Sequence, residues 1–402
     1  MAEPLLASPP VAPGDKRLLF VLSGNMVLDA IEVSVVLVAL PSIAADLELS
    51  IWAAQWLLTG FAAGFAAVLL LGPRLTARWG LRRCYLAALL VFAAASVVGG
   101  LSESLWVLIA ARLVKGGCAA LTAPAGLALI AATFPDGPPL RRAVSVYSLF
   151  GAAGFTLGLL LSGLLTPVSW HWTFLFPAPV ALGLLGWGLK VVPRTERRGP
   201  PRFDPHVLRD GALVRSTLGA ATLNGTYVAL LLLVTFHAAD RFGWRPWQLA
   251  LALLPACVPL AVAVPFAGRL TARFGTAGSI AAGAVAALAG QLLLLLRPLP
   301  RSYAVGVLPT LLLVGAAFVL SFAALNLQAT HGLTPEARAA AVPVYQTGVQ
   351  LGGVLMLPLV AALLTHATGH RPALLAIALA GAVGVLVSLT GLRSRSAKGV
   401  PS

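Results

Sequence analysis

Asp29 and Glu32 stand three residues apart in one apolar stretch of a 402-residue chain, and Arg112 and Lys115 stand three apart in another. Of thirteen carboxylates, only these two fall inside a long apolar run. A spacing of three puts both on one helix face, with Asn25 one turn below Asp29. Burial favours the neutral form of a carboxylate, and a nearby cation favours its charged form. A carboxylate balanced between the two effects can take up and release protons, or exchange its proton for a cationic or polar substrate. The structural alternative is a buried salt-bridge network that only holds the fold together.

The elements that must position these groups are long and apolar. Hydrophobic residues make up 59% of the chain, charged residues 10%, and the mean hydropathy is +0.91. So few charges cannot cover the surface of a soluble protein of this length. A helix needs roughly 20 apolar residues to cross a bilayer. Twelve stretches qualify, at 17–41, 52–72, 83–101, 105–131, 144–166, 173–190, 214–237, 248–268, 276–296, 303–328, 342–366 and 372–392. On insertion scales a charge at the bilayer centre costs about 2.5–3.5 kcal/mol, which makes two on one helix poor filler. The first run, carrying Asp29 and Glu32, reads as a retained span rather than a cleaved signal.

Arg-Leu-Thr-Ala-Arg-Trp-Gly at 74–80 returns as Arg-Leu-Thr-Ala-Arg-Phe-Gly at 269–275, a shift of 195 positions. A short basic link repeated once per half points to a transporter built by duplication. The expected organisation is a tail (1–16), a six-helix half (17–190), a linker (191–213), a second six-helix half (214–392) and a tail (393–402). No other link has room for a soluble domain.

The net charge of +15 is a topology signal before it is anything else. With the N-terminus inside, inner links and tails hold 21 of the 28 Lys and Arg, and outer links hold Arg241, Arg245, Arg297, Arg301 and Arg371. That asymmetry places both termini in the cytoplasm and argues against a nucleic-acid partner. Cys84, Cys118 and Cys257 have no disulfide or metal spacing, and no phosphate loop, nucleophile elbow or dinucleotide fingerprint occurs. The expectation is therefore no enzyme, no metal and no cofactor.

Helix rise puts Glu32 and Arg112 at similar depth, roughly 10–14 Å below the outer surface, and Asp29 and Lys115 one turn lower. Two antiparallel helices would then form a ladder of two ion pairs, Glu32–Arg112 and Asp29–Lys115. Asn224, Tyr227 and Asn326 are weaker candidates for substrate contact, because a lone Asn or Tyr in a bundle more often bonds helix to helix. His237, His331 and His366 lie near span ends and read as interfacial. Small residues recur at helical spacing at Gly60 and Gly64, at Gly151, Gly154, Gly158 and Ser162, and at Gly348 and Gly352. Close packing is their first reading, and sliding surfaces between the halves their second.

The chain resembles the major facilitator superfamily. The loop signature of that family, G-x-L-x-D-R-x-G-R-R, is matched at Leu75, Arg78, Gly80 and Arg82. Ala77 stands at the aspartate, Arg83 follows, and a degenerate copy keeps Leu270, Arg273 and Gly275. Within the family the drug:proton antiporters are most similar. Anchoring their first-helix motif on Ala39-Leu40-Pro41 puts Glu32 at its aspartate, and Arg112-Leu-Val-Lys115-Gly116 resembles R-x-x-Q-G. Gly154, Gly158 and Gly163 keep part of the fifth-helix antiporter motif, with Leu159 at its proline. Ser169-Trp-His-Trp172 resembles the turn into their sixth helix.

The resemblance implies an all-α membrane protein with the major facilitator fold, twelve transmembrane helices in two pseudo-symmetric halves. It implies Glu32 over Asp29 as the proton site, Arg112 and Lys115 as its ion-pair partners, and a gate at Arg78, Gly80, Arg82, Arg83, Arg273 and Gly275. With Ala77 at the aspartate position, an inward-facing resting form follows. The expected activity is proton-driven export of small amphipathic compounds by a functional monomer in the cell membrane, with the proton gradient in place of a cofactor. Its partners are the substrate, protons and lipid. Import by proton symport of a nutrient or vitamin needs the same carboxylates, and a non-transporting partner or receptor on this fold is a third reading.

Overall fold

A computed structural model describes residues 13–194, 205–263, 266, 269, 273–296 and 302–396. Long helices dominate it, and no strand occurs among the described residues. They are labelled α1 (Pro13–Asp46), α2 (Ile51–Leu69), α3 (Leu81–Gly100), α4 (Leu105–Thr133), α5 (Pro138–Leu165) and α6 (His171–Val191). A second set follows as α7 (Gly211–Phe242), α8 (Pro246–Ala263), α9 (Thr276–Leu296), α10 (Tyr303–Thr330), α11 (Pro335–His366) and α12 (Arg371–Ser396). Eleven are long and apolar enough to cross a bilayer, and the apolar part of α8, Pro246–Pro259, is shorter. Residues 195–204 of the linker and 270–272 of the second heptapeptide lie outside the described residues.

Local chemistry sets the helix limits. Asp210 accepts hydrogen bonds from the amides of Ala212 and Leu213 at the start of α7, and Ser50 and Thr334 cap α2 and α11 in the same way. Gly80, at φ 87°, turns the chain from the short helix Gly72–Trp79 into α3, a conformation that side-chain residues rarely adopt. Exposed tryptophans form two belts. Trp52, Trp106, Trp172 and Trp247 mark the end where the even-numbered helices begin, and Trp79 and Trp187 mark the other. Between them Leu90, Leu251, Leu355 and Leu386 are exposed, an apolar band suited to lipid.

Adding 195 to a residue number carries α2 onto α8 (Ile51 to Pro246) and α3 onto α9 (Leu81 to Thr276). The duplication in the sequence is thus repeated in the helices.

The glycine stripes serve packing within each half, which agrees with the first reading of them and not with the second, as sliding surfaces. A Cβ at Gly64 would overlap the Leu113 carbonyl of α4, and one at Gly154 would stand 2.8 Å from the Val27 carbonyl of α1. A Cβ at Gly352 would overlap the Ala221 carbonyl of α7. Gly163 differs, for it faces Ala250 and Trp247 of the second half. Nearby, the Trp52 amide donates to Thr365 Oγ1 at 3.2 Å. Both of these inter-half contacts lie at the Trp52–Trp247 end of the bundle.

Overlap with a backbone carbonyl leaves no flexible atom to yield. Gly64→Ala should therefore cost about 1–3 kcal/mol and lower the melting temperature of the purified protein. Gly183→Ala, where a Cβ meets nothing within 4 Å, should leave it unchanged. Equal melting of the two variants would show that the α2–α4 contact is not tight.

Candidate functional site

The charged residues of α1 and α4 meet in the interior of the first half. Glu32 and Lys115 are 0% exposed and Arg112 is 1% exposed. Arg112 Nη1 donates to Glu32 Oε2 at 2.6 Å, and Lys115 Nζ stands 2.6 Å from Oε1 as an ion contact outside hydrogen-bond alignment. Arg112 also donates from Nε to the Leu57 carbonyl of α2 (2.8 Å) and from Nη2 to the Glu32 carbonyl (2.9 Å). Its guanidinium lies 4.7 Å from the centre of the Phe61 ring. Lys115 Nζ lies 5.1 Å from the Phe92 ring and 5.6 Å from that of Phe174. Cation–π contact partly replaces the water both cations have lost.

Asp29 is held differently. Its Oδ2 accepts from Asn25 Nδ2 (2.9 Å) and from Thr122 Oγ1 (2.8 Å), and among the described residues no ion pair reaches it. The expected Glu32–Arg112 contact is present, whereas the Asp29–Lys115 rung of the ladder is not. Lys115 turns to Glu32 instead, so one carboxylate faces two cations and the other only neutral donors. Helix rotation, which spacing along a helix does not specify, decides this. Thr122 went unnoticed in the sequence although it stands seven residues from Lys115, on the same face of α4.

The weaker candidates form helix–helix and intrahelical bonds away from this cluster. Asn224 Nδ2 donates to the Val349 carbonyl of α11 (2.9 Å), and Asn326 Nδ2 to Phe322 of its own helix (3.1 Å). Tyr227 OH donates to the Ala256 carbonyl of α8 at 3.3 Å. The Tyr227 ring lies 4.3 Å from Phe318 and 6.1 Å from Phe155, centre to centre, and Phe322 stacks on Phe318 at 5.8 Å. An aromatic seam between the halves is thus built from residues that sequence reasoning mostly passed over. In the loop motif, Arg82 Nη2 donates to the Leu189 carbonyl near the end of α6 at 2.6 Å, where a cation also suits the helix dipole. Arg78, Arg83 and Arg273 are exposed, and Gly275, like Gly80, has positive φ.

The two halves differ in charge at matched positions. Asp29 and Glu32 correspond to Asn224 and Tyr227 at the shift of 195. Gly116 packs on the Phe61 carbonyl as Gly315 packs on that of Ala256, and these two carbonyls are themselves 195 apart. Carried through α4 and α10, that match pairs Arg112 with Leu311, Lys115 with Val314 and Thr122 with Ser321. Every buried charge of the first cluster has a neutral counterpart.

Long apolar helices in two repeated halves, with buried charge in one of them, define a membrane transporter rather than an enzyme. The profile of the Major Facilitator Superfamily matches residues 22–357, and the chain belongs to that family. It is 29% identical to the puromycin resistance protein of Streptomyces alboniger, over 92% of this chain and 88% of that one. It is 34% identical to the cephamycin export protein of Amycolatopsis lactamdurans over 54% of this chain and 48% of that protein, so this second match spans less than half of the relative. In structure it superposes on the nucleoside transporter NupG with a TM-score of 0.74 and 12% identity, covering 94% and 99% of the two chains, a likeness of fold. The chain is thus a multi-pass protein of the cell membrane.

The charge count of the cluster ranks its variants. Lys115→Met leaves Glu32 paired with Arg112, all three Arg112 hydrogen bonds intact. Arg112→Met loses those bonds yet leaves a Glu32–Lys115 pair. Glu32→Gln strands two buried cations against each other, for which breaking a buried pair sets a scale of about 3–5 kcal/mol. Melting temperatures should fall in that order, with Glu32→Gln lowest and partly restored by adding Lys115→Met. If Glu32→Gln melts no lower than Lys115→Met, the triad does not hold the half together.

Proposed function

We propose that the protein exports small amphipathic compounds in exchange for protons, by alternating access, and that Asp29 carries the proton. The observation behind the proton site is the difference in partners between the two carboxylates. Glu32 has two cationic partners, Arg112 and Lys115. Asp29 has only an amide and a hydroxyl, which offset its desolvation less. This departs from the family register, which favours Glu32. On this reading the triad fixes α1 to α4, and Asp29, one turn away, changes charge during the cycle.

Protonating Asp29 takes the group of four from net zero to net +1. That change favours whichever arrangement of the halves gives the site more water or a compensating charge, and substrate release follows it. The seam of Phe155, Tyr227, Phe318 and Phe322 offers flat apolar surface to an aromatic or amphipathic compound. The names of the puromycin and cephamycin relatives support export as the direction and such compounds as cargo.

In this proposal the chain has twelve spans with both termini cytoplasmic, and its halves, 17–190 and 214–392, joined by the linker 191–213, rock about a central site between them. The orientation comes from the placement of Lys and Arg. The inter-half contacts at Trp52 and Gly163 then lie on the outer side, which agrees with an inward-facing form. Protons replace a cofactor, and one copy suffices.

Proteoliposomes with an imposed pH gradient test the reading, with labelled puromycin as one probe among a panel of amphipathic compounds. The parent chain should accumulate the probe against its gradient only when a proton gradient opposes it. Asp29→Asn should abolish uphill flux and its pH dependence yet keep downhill exchange. Uphill transport by Asp29→Asn at the parent rate would remove Asp29 from the mechanism, and uphill flux without any pH gradient would remove proton coupling altogether.

A further inference from the structure

A small niche opens at the end of the second half where α7 and α9 begin and α10 and α12 finish. It is lined by Arg215, Gly219, Ala277, Gln328, Ser388 and Gly391, among others, and has room for one water-sized group. Arg215, the fifth residue of α7, is half-buried, and its Nε is fully buried without a hydrogen-bond partner. Its guanidinium folds back over the first turn, so that Nη1 stands 3.1 Å from where a Cβ of Gly211 would be. Ser216 Oγ donates to Gln328 Oε1 at 3.1 Å, which fixes the amide and leaves Nε2 as the free end. Both donors reach the same spot. The position a Cβ would take on Gly391 is 3.7 Å from Gln328 Nε2 and 4.0 Å from Arg215 Nε.

Two convergent N–H donors, one of them charged, call for an anion. No carboxylate lines the niche among the described residues, and the neighbouring Asp210 is turned to the amides of Ala212 and Leu213. The start of α7 adds the positive end of a helix dipole. Among the described residues the first half has no matching arginine. Its counterpart of Arg215 is Phe20, whose ring pairs with Trp187 at 5.1 Å.

We infer that this niche binds a phosphate group, one oxygen entering between Arg215 Nε and Gln328 Nε2 while the rest stays at the mouth. At this level of the bundle, near the membrane surface, the group is either the headgroup of an anionic phospholipid or free phosphate. Bound there, it ties α7 to α10 and α12.

Native mass spectrometry of the purified full chain with phosphatidylglycerol, together with melting curves in inorganic phosphate, tests the assignment. Arg215→Gln removes the charged donor. Gly391→Leu fills the niche but keeps both donors, and Arg338→Gln removes an exposed arginine elsewhere. A charged hydrogen bond is worth about 1.5–3 kcal/mol, so both niche variants should lose about tenfold or more in affinity for the phosphate group. Arg338→Gln should bind like the parent chain. A lipid adduct that persists in millimolar phosphate assigns the site to the headgroup, whereas stabilisation by phosphate alone assigns it to the free anion. If the parent and both niche variants hold the same lipid adducts and respond equally to phosphate, the site does not exist.

Discussion

Glu32, Arg112 and Lys115 are buried together and must stay in contact, and the architecture of the first half follows from that constraint. Separating any one from the others exposes an uncompensated charge to a low-dielectric interior. Arg112 ties α4 to α1 and α2 through Glu32 and the Leu57 carbonyl. Lys115 rests on rings from α3 and α6. Five of the six helices therefore touch one electrostatic centre, which resists rearrangement inside the half. Rigid movement of a whole half is what such a centre permits.

Duplication gave the second half the same helices but not the same interior. Where Glu32 draws charge inward, Tyr227 turns its hydroxyl to the Ala256 carbonyl and its ring to Phe155 and Phe318. A ring at that place is compatible with apolar cargo, and a carboxylate is not. The buried charges thus lie in the first half, and most of the aromatic seam in the second.

Much of this was legible from the chain itself. Composition requires membrane helices, the repeated heptapeptide requires two halves, and Glu32 and Arg112 sit at depths that let them meet. The Asp29–Lys115 pairing failed because depth follows from counting residues whereas azimuth depends on how each helix is rotated in its bundle. Thr122 was passed over because a threonine in a membrane helix carries no charge to mark it. The glycine stripes were visible, but only the packed structure says that Gly64 faces α4 and Gly352 faces α7. Arg215 was counted among the topology signals, and its unpartnered Nε becomes apparent only once Gln328 and Gly391 are brought beside it.

The charge-bearing and apolar sites of the proposed cycle lie close together along α1. Ser34, two residues past Glu32, donates to the Phe155 carbonyl at 2.7 Å, and the Phe155 ring faces Tyr227 across the seam. Asp29, Glu32 and Ser34 lie within a turn and a half of one helix, and Gly154 and Gly158 hold that helix tightly to α5. A shift of α1 on protonation of Asp29 cannot be absorbed by loose packing there, because a backbone carbonyl or the Ser34 hydroxyl stands where each glycine would carry a Cβ. It must move α5 with it, and with α5 the first-half wall of the aromatic seam. Proton and cargo need no direct contact in this arrangement. In the proposed cycle they compete through the position of a single helix pair.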